Sequence, residues 1–255
     1  MYKYLIILLP LVLCLYYCKG QKSAPEKLMG LGLLTVNTQY PIPLYQNGQD
    51  GVPFDVLKFE RTKSGVTAFI SRIKLKPYLM TGGNSDEEGK KNISMGLVRF
   101  PAELKFRVVA IADSFFKVVT NEETGETFII KREHKSAYYM TLKELYDHNC
   151  SNCPGSGYNP RWYVFETWER YLKRVEFITK VNLVIYDRPN GKIIFENKQA
   201  TFLPFTVTEV KGEWIKLKKG FGREFNFDST QNYDGWTKWR EGQQKVIDIV
   251  EQTYE

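Results

Sequence analysis

The sequence repeats one pattern of alternating apolar and polar residues in its two halves. Residues 106–118 and 205–217 align without a gap, and apolar residues occupy the same positions in both stretches. Alternation with a period of two predicts β-strands, and the polar residues inside each stretch predict a turn. Each stretch is therefore predicted to form a β-hairpin, and the chain is predicted to contain two related β structures.

Matching segments flank the two predicted hairpins. Upstream, residues 42–48 resemble residues 183–191, and both segments end in Asn-Gly, which favours a tight turn. Downstream, a short apolar strand that ends in Arg-Glu follows each hairpin, at residues 127–133 and 235–241. The predicted order in both halves is strand, turn, hairpin, strand.

The second half resembles the bacterial SH3-like domain, a small five-stranded β-barrel. The resemblance is carried by residues 183–191, by residues 207–217 and by the adjacent Gly235 and Trp236. The first half matches less well, because it lacks the Gly-Trp pair and carries a long insertion between Leu44 and Phe106. The resemblance implies a mainly β protein with two small SH3-like β-barrels, the first enlarged by a large β insertion.

The segment between the two halves carries helix signals. Residues 141–144 read Thr-Leu-Lys-Glu, a capping box that starts helices, and residues 167–173 offer a weaker second helix start. A partly helical connector is therefore predicted. The predicted units are a signal segment at 1–20, a linker at 21–37, the enlarged barrel at 38–137, the connector with its Cys-x-x-Cys loop at 138–179 and the second barrel at 180–255.

The N-terminus is typical of a targeting segment. Lys3 precedes an apolar run at residues 5–15, which is too short to span a membrane comfortably. We expect an exported protein of the periplasm or cell envelope, with a secretory signal or an uncleaved anchor. Cys18 follows the run and resembles the acylated cysteine of a bacterial lipoprotein, although residues 15–17 are larger than that motif prefers. Acyl chains on Cys18 would tether the protein to a membrane.

Two cysteines lie outside the targeting segment. Cys150 and Cys153 form a Cys-x-x-Cys pair in a stretch rich in Gly, Pro, Asn and Ser. In an oxidising compartment this pair predicts a local disulfide or two free thiols. The alternative is a small metal or redox protein in which His148 and His134 join the two thiolates. The sequence has no second Cys-x-x-Cys pair, and neither a metal nor another cofactor is predicted.

Composition and motifs indicate a protein that is not an enzyme. Lys and Arg number 36 against 29 Asp and Glu, a mild excess that suits an anionic surface better than nucleic acid. Only 2 histidines are present, and assigning two barrels leaves no separate catalytic domain. The glycine-rich segments lack the strand-to-helix context of a phosphate-binding loop. We therefore expect neither catalysis nor a nucleic-acid partner.

Aromatic residues near the predicted turns are the candidates for ligand contact. Small barrels of this kind present a groove where aromatic side chains offer broad contact area to extended peptides or sugars. The candidates are Tyr186, Trp214, Tyr233 and Trp236. Trp214 and Trp236 lie within predicted strands, so packing in the core or rim is the alternative for both.

The family resemblance supplies the predicted function. It implies a non-catalytic binding module of the cell envelope, with peptidoglycan or an envelope protein as its partner. The alternative is a structural module of the envelope that acts through protein–protein contacts, in which the same aromatic residues serve only packing.

Overall fold

The computed structural model is mainly β, which confirms the predicted fold class at that level. Within the described residues, nineteen strands and two short helices are present. Neither of these helices is long and apolar enough to cross a membrane. The described residues are 29–61, 67–81, 103–148, 159–197, 203–219 and 233–251.

The elements up to the first helix belong mostly to one large sheet. In chain order they are β1 (Gly32–Asn37), β2 (Ile42–Leu44), β3 (Asp55–Arg61), β4 (Thr67–Ile70), β5 (Leu79–Thr81), β6 (Glu103–Ala112), β7 (Phe115–Asn121), β8 (Glu126–Lys131), β9 (Ala137–Tyr139) and α1 (Leu142–His148).

The remaining elements complete this sheet and form a second one. They are β10 (Trp162–Thr167), α2 (Trp168–Arg174), β11 (Phe177–Thr179), β12 (Val184–Tyr186), β13 (Ile193–Glu196), β14 (Phe205–Lys211), β15 (Trp214–Lys219), β16 (Gly235–Lys238), β17 (Arg240–Glu241), β18 (Gln244–Lys245) and β19 (Asp248–Val250).

Strand β1 is central in the first sheet. The strand order is β8-β7-β6-β1-β10-β9, with β5 paired to β6. β1 runs antiparallel to both β6 and β10, whereas β9 and β10 are parallel. A small sheet of β2, β3 and β4 lies beside it, and Tyr45 bridges to Ile129 of β8. β1 lies in the segment predicted as a linker, and β10 in the segment predicted as a connector.

The second sheet has the order β13-β12-β16-β15-β14-β11-β19, and its strands pair antiparallel. Strands β17 and β18 form a separate two-stranded hairpin. In the part of the chain that the structure describes, the strand order of neither large sheet closes on itself. The two predicted SH3-like barrels are therefore not confirmed, although the coarser mainly β prediction is.

The two hairpins predicted from the sequence are present as β6–β7 and β14–β15, and their registers correspond. In the first hairpin a β-bulge lies between Val108 and Ala110. In the second hairpin the bulge lies between Val207 and Glu209, which align with those residues in the sequence. A bulge bends a strand and increases its twist, so both hairpins bend at the same position.

In the strands that follow the two hairpins, the structural alignment of the two halves differs by one residue from the alignment of their sequences. Ile130 of β8 and Thr237 of β16 hold equivalent register positions against the preceding strand. Matching the two Arg-Glu pairs aligns Ile130 with Lys238 instead. The difference arises because Trp239 adds one residue between the end of β16 and Arg240.

Both helices begin at the predicted threonines. The Thr141 hydroxyl accepts a hydrogen bond from the backbone N–H of Glu144, and the Glu144 carboxylate accepts one from the N–H of Met140. Thr167 caps α2 by accepting from the backbone N–H of Arg170. These bonds satisfy N–H groups that have no partner inside the first turn of a helix.

Strand β1 contributes to two hydrophobic cores because successive side chains of a strand point to opposite faces. Leu34 and Val36 belong to the core of the first sheet. Leu33, which directly precedes Leu34, is 1% exposed and belongs to the core that contains Trp168 and Tyr171 of α2. The second sheet shares this core, so β1 and α2 hold the two sheets together.

Four charged side chains lie beside this shared core, and two of them, Lys105 and Glu166, are buried. Arg174 donates two hydrogen bonds to the Glu166 carboxylate, at 2.6 and 2.5 Å, and lies 2.9 Å from Glu251. The Lys105 ammonium of β6 lies 3.1 Å from the same Glu251 carboxylate. An unpaired charge at such a site costs several kcal/mol, so each of these four side chains constrains the positions of the others.

Glu103 of β6 borders this cluster. Burial raises the pKa of the Glu103 carboxyl, and Glu251 raises it further, while Lys105 and Arg174 act in the opposite direction. The folded state therefore disfavours the ionised form of Glu103. Its contribution to stability is fully present below the pKa of the unfolded chain and is lost as the pH rises through the folded-state pKa.

We predict that Leu33→Ala destabilises the protein by about 2–5 kcal/mol, because it removes a fully buried side chain from the core that joins the sheets. Urea unfolding followed by circular dichroism and tryptophan fluorescence measures the change. Leu31→Ala is the matched control, since Leu31 is 50% exposed and should change stability by less than about 0.5 kcal/mol. Equal effects of the two substitutions would contradict the shared core.

We predict that Glu103→Gln stabilises the protein at neutral pH. The gain over the unchanged chain should grow as the pH rises above the unfolded-state pKa of about 4.3, and it should level off above the raised folded-state pKa. Unfolding in urea at several pH values measures it. Glu123→Gln should show the opposite sign, because hydrogen bonds from Lys76 and Lys74 lower the pKa of the Glu123 carboxyl. A Glu103→Gln gain that is independent of pH would refute the assignment.

Candidate binding face on the second sheet

Three of the four predicted contact residues lie on one face of the second sheet. Tyr186 of β12 pairs with Trp236 of β16, and Trp236 pairs with Lys216 of β15. Directly paired residues point to the same side, and Trp214 shares that side because it precedes Lys216 by two residues. The Tyr186 and Trp214 ring centroids are 5.2 Å apart, with planes at 88°. We define the aromatic face as Tyr186, Trp214, Trp236, Lys211, Lys216 and Lys238.

The alternation of strand β15 produces this arrangement. Ile215 and Leu217 point inward and belong to the shared core. Trp214 and Lys216 therefore point outward, because successive side chains of a strand point to opposite faces. The pairing of β14 with β15 adds Lys211, which lies opposite Trp214, and the pairing with β16 adds Lys238 on the other side of Trp214.

Lysine side chains cover the tryptophan rings of the aromatic face. The Lys211 ammonium lies 4.9 Å from the Trp236 ring centroid, and the Lys238 ammonium lies 5.6 Å from that of Trp214. These distances suit cation–π attraction, and the aliphatic stems shield the rings. Trp214 and Trp236 are consequently only 9% and 7% exposed.

Two glutamates pair with the lysines. Glu209 lies 3.1 Å from the Lys216 ammonium and 3.4 Å from that of Lys211, while Glu213 lies 3.6 Å from Lys238. Hydrogen bonding from Lys216 lowers the pKa of the Glu209 carboxyl. Burial acts in the opposite direction, and hydrogen bonding from Lys211 lowers the pKa further. All these side chains are at least one-third exposed, and exposed ion pairs contribute little to stability.

Gly235 allows β12 to approach β16 closely. A Cβ at this position would lie 2.7 Å from the Tyr186 carbonyl oxygen and 2.6 Å from Cγ2 of Ile185. Any side chain would therefore push Tyr186 away from Trp236. The glycine of the Gly-Trp pair noted in the sequence thus serves the geometry of the aromatic face.

The first sheet has an equivalent face with different side chains. Tyr45 pairs with Ile129 in the first sheet, just as Tyr186 pairs with Trp236 in the second. The position of Trp236 is therefore occupied by an isoleucine in the first sheet. The Lys131 ammonium lies 4.2 Å from the Tyr45 ring centroid. A lysine on an aromatic ring is common to both faces, but the face of the first sheet is less aromatic.

A loop packs on the face of the first sheet. A Cβ at Gly48 would lie 2.7 Å from the ring of Phe115, the residue that aligns with Trp214. The backbone of this loop therefore contacts the position that corresponds to the centre of the aromatic face. The two faces differ both in side chains and in what packs on them.

Tyr233 does not belong to the aromatic face. It is 1% exposed, and its hydroxyl donates a hydrogen bond to the Pro204 carbonyl oxygen at 2.9 Å. Its ring lies 5.9 Å from that of Phe195, and burial, together with Asp234, raises the pKa of its hydroxyl. The structure places Tyr233 in the core, where it is not accessible to a ligand.

Sequence reasoning missed Lys211 and Lys238 as members of the face. The sequence predicted Lys211 as part of the hairpin turn at residues 211–213, whereas the structure places it at the end of β14, opposite Trp214. Placing Lys238 on the face requires the register of β16, and the alignment of the Arg-Glu pairs gives that register with an error of one residue. The sequence pattern therefore assigned neither lysine to the face.

The cysteine-based alternative lies largely outside the described residues, as do Cys18, Cys150 and Cys153. His148 is described, and its Nδ1 lies 2.8 Å from the Glu144 carbonyl oxygen while its ring stacks near Tyr139. Among the residues that the structure describes, no group of three or more His, Cys, Asp or Glu side chains is arranged to hold a metal ion.

Comparison with known proteins adds no relative. No protein-family model matches the chain, and no curated protein or solved structure shows significant similarity to it. The function therefore has to be inferred from the aromatic face and the sequence patterns.

Proposed function

We propose that the protein is a non-catalytic binding protein of the cell envelope and that the aromatic face contacts peptidoglycan. The observation that carries the proposal is the convergence of Tyr186, Trp214 and Trp236 with three lysines on one sheet face. Aromatic rings suit sugar rings and peptide backbones, whereas ammonium groups suit carboxylates. Peptidoglycan presents all of these groups along one polymer.

We propose further that each half is an SH3-like unit. The shared bulge position in the two hairpins supports this, as does the bridge from Tyr45 to Ile129, which matches that from Tyr186 to Trp236. In each half, the residue at the start of the turn loop pairs with the strand that follows the hairpin, and the paired position of that strand is the same in both halves. Similar small barrels expose a ligand surface near that loop, which is where Tyr186 lies.

The proposed location is the cell envelope, and it rests on the N-terminal sequence. A lysine followed by a short apolar run is typical of an export signal, and acylation of Cys18 would add a membrane tether. Export would bring the aromatic face into the compartment that contains peptidoglycan.

The second candidate function is a structural interaction module of the envelope. Burial of the rings favours it, since Trp214 and Trp236 are 9% and 7% exposed and pack under lysine stems. In that role the aromatic residues stabilise the sheet, and their substitution changes stability without changing affinity for peptidoglycan.

Co-sedimentation of the purified full-length chain with peptidoglycan at increasing salt tests the proposal. We predict that Tyr186→Ala and Lys216→Ala each weaken binding by about five- to tenfold, because both side chains contribute to one contact surface. The matched control is Lys117→Ala, which removes the lysine that aligns with Lys216 on the first sheet. Lys117 is exposed, so its removal tests charge loss alone.

Unfolding curves must first show that each variant is folded. Binding that persists at high salt and falls only in the aromatic-face variants supports the proposal, because screening removes non-specific attraction of a basic chain. Equal loss in Lys117→Ala and Lys216→Ala, or binding abolished by salt alone, overturns it. Reduced stability with unchanged binding favours the structural module.

A further inference from the structure

Two lysines flank Trp214 across three neighbouring strands. Lys211 of β14 pairs with Trp214 of β15, and Trp214 pairs with Lys238 of β16. Adjacent strands are about 4.8 Å apart, so the two lysine backbones lie about 10 Å apart with the indole between them. The row of residues runs across the strands rather than along them.

The ammonium groups of these lysines can exchange their glutamate partners for the carboxylates of a ligand. Lys211 has Glu209 at 3.4 Å, and Lys238 has Glu213 at 3.6 Å, distances longer than that of a strong charged hydrogen bond. Glu209 also pairs with Lys216 at 3.1 Å, so it divides its charge between two lysines. A ligand carboxylate can replace such an exposed pair at little cost.

We infer that the aromatic face recognises an acidic peptide segment that lies across β14, β15 and β16. Two carboxylates of the peptide pair with Lys211 and Lys238, and the residues between them lie over Trp214. This inference rests on the proposed function and specifies that the peptide part of the polymer, not its glycan, is recognised. Drawing the lysine side chains toward the carboxylates also uncovers the indole rings that they shield.

The spacing defines the peptide more closely. When both lysine side chains extend straight out from the sheet, their ammonium groups lie about as far apart as their backbones, at about 10 Å. An extended or polyproline II backbone rises about 3.1–3.4 Å per residue, so carboxylates at that spacing belong to residues three positions apart. In polyproline II geometry such residues also point to the same side, because three residues complete one turn. The expected ligand therefore has two acidic residues separated by two others.

The proposed occupant is the stem peptide of peptidoglycan, and an acidic segment of an envelope protein, which carries the same chemistry, is the alternative outcome of the test. The first experiment compares sedimentation of the full-length chain with intact peptidoglycan and with glycan strands from which the peptides have been removed. We expect binding to fall at least about tenfold when the peptides are absent. Equal binding to both polymers overturns the inference while leaving the proposed function standing.

The second experiment uses synthetic peptides as competitors. Acetyl-Glu-Ala-Ala-Glu-amide should displace the chain from peptidoglycan and change its tryptophan fluorescence, whereas the Gln-Ala-Ala-Gln peptide should do neither. The double variant Lys211→Gln, Lys238→Gln should lose this response, and Lys117→Gln and Lys131→Gln together should keep it. Equal effects of both peptides, or of both double variants, overturn the inference.

The two proposals fail in different ways. If the chain binds the acidic peptide but not peptidoglycan, the proposed function is wrong and an acidic envelope-protein segment is the source of the ligand. If the chain binds peptidoglycan but ignores the acidic peptide, the inference is wrong and only the broader proposal stands.

Discussion

The packing of β1 between two cores is the constraint on which the rest of the structure depends. Leu34 faces the core of the first sheet, and Leu33, its neighbour, faces the core shared with the second. Beside Leu33, Arg174 pairs with Glu166 and Glu251, and Lys105 pairs with Glu251, so charges from both sides of the shared core meet at its edge. Apolar burial supplies the attraction, and the buried pairs restrict the relative positions that the sheets can adopt.

The aromatic face depends on this packing indirectly. Because Ile215 and Leu217 must point into the shared core, Trp214 and Lys216 must point away from it. Gly235 then lets β12 come close enough for Tyr186 to join the two tryptophans. The outward side chains are thus positioned by inward ones, and the packing of the shared core fixes the geometry of the aromatic face.

The sequence was sufficient for the parts of the fold that short-range alternation controls. The hairpins and the helix starts at Thr141 and Thr167 follow from local pattern, whereas the sequence left open whether Trp214 packs in the core or contacts a ligand. Long-range pairing did not follow, since nothing near β1 in the sequence indicates that it pairs with both β6 and β10. For the same reason Tyr233, which lies close to Trp236 in sequence, was grouped with the face, although its hydroxyl bonds to Pro204 in the core.

The central claim is that the aromatic face, and not its counterpart on the first sheet, contacts the ligand. Chemical acetylation of lysines with and without bound peptidoglycan, read by mass spectrometry, tests this residue by residue in the unmodified sequence. The account predicts protection of Lys211, Lys216 and Lys238, with Lys117 and Lys131 labelled equally in both states. Protection confined to Lys117 and Lys131, or equal labelling of all five lysines despite saturated binding, would contradict it.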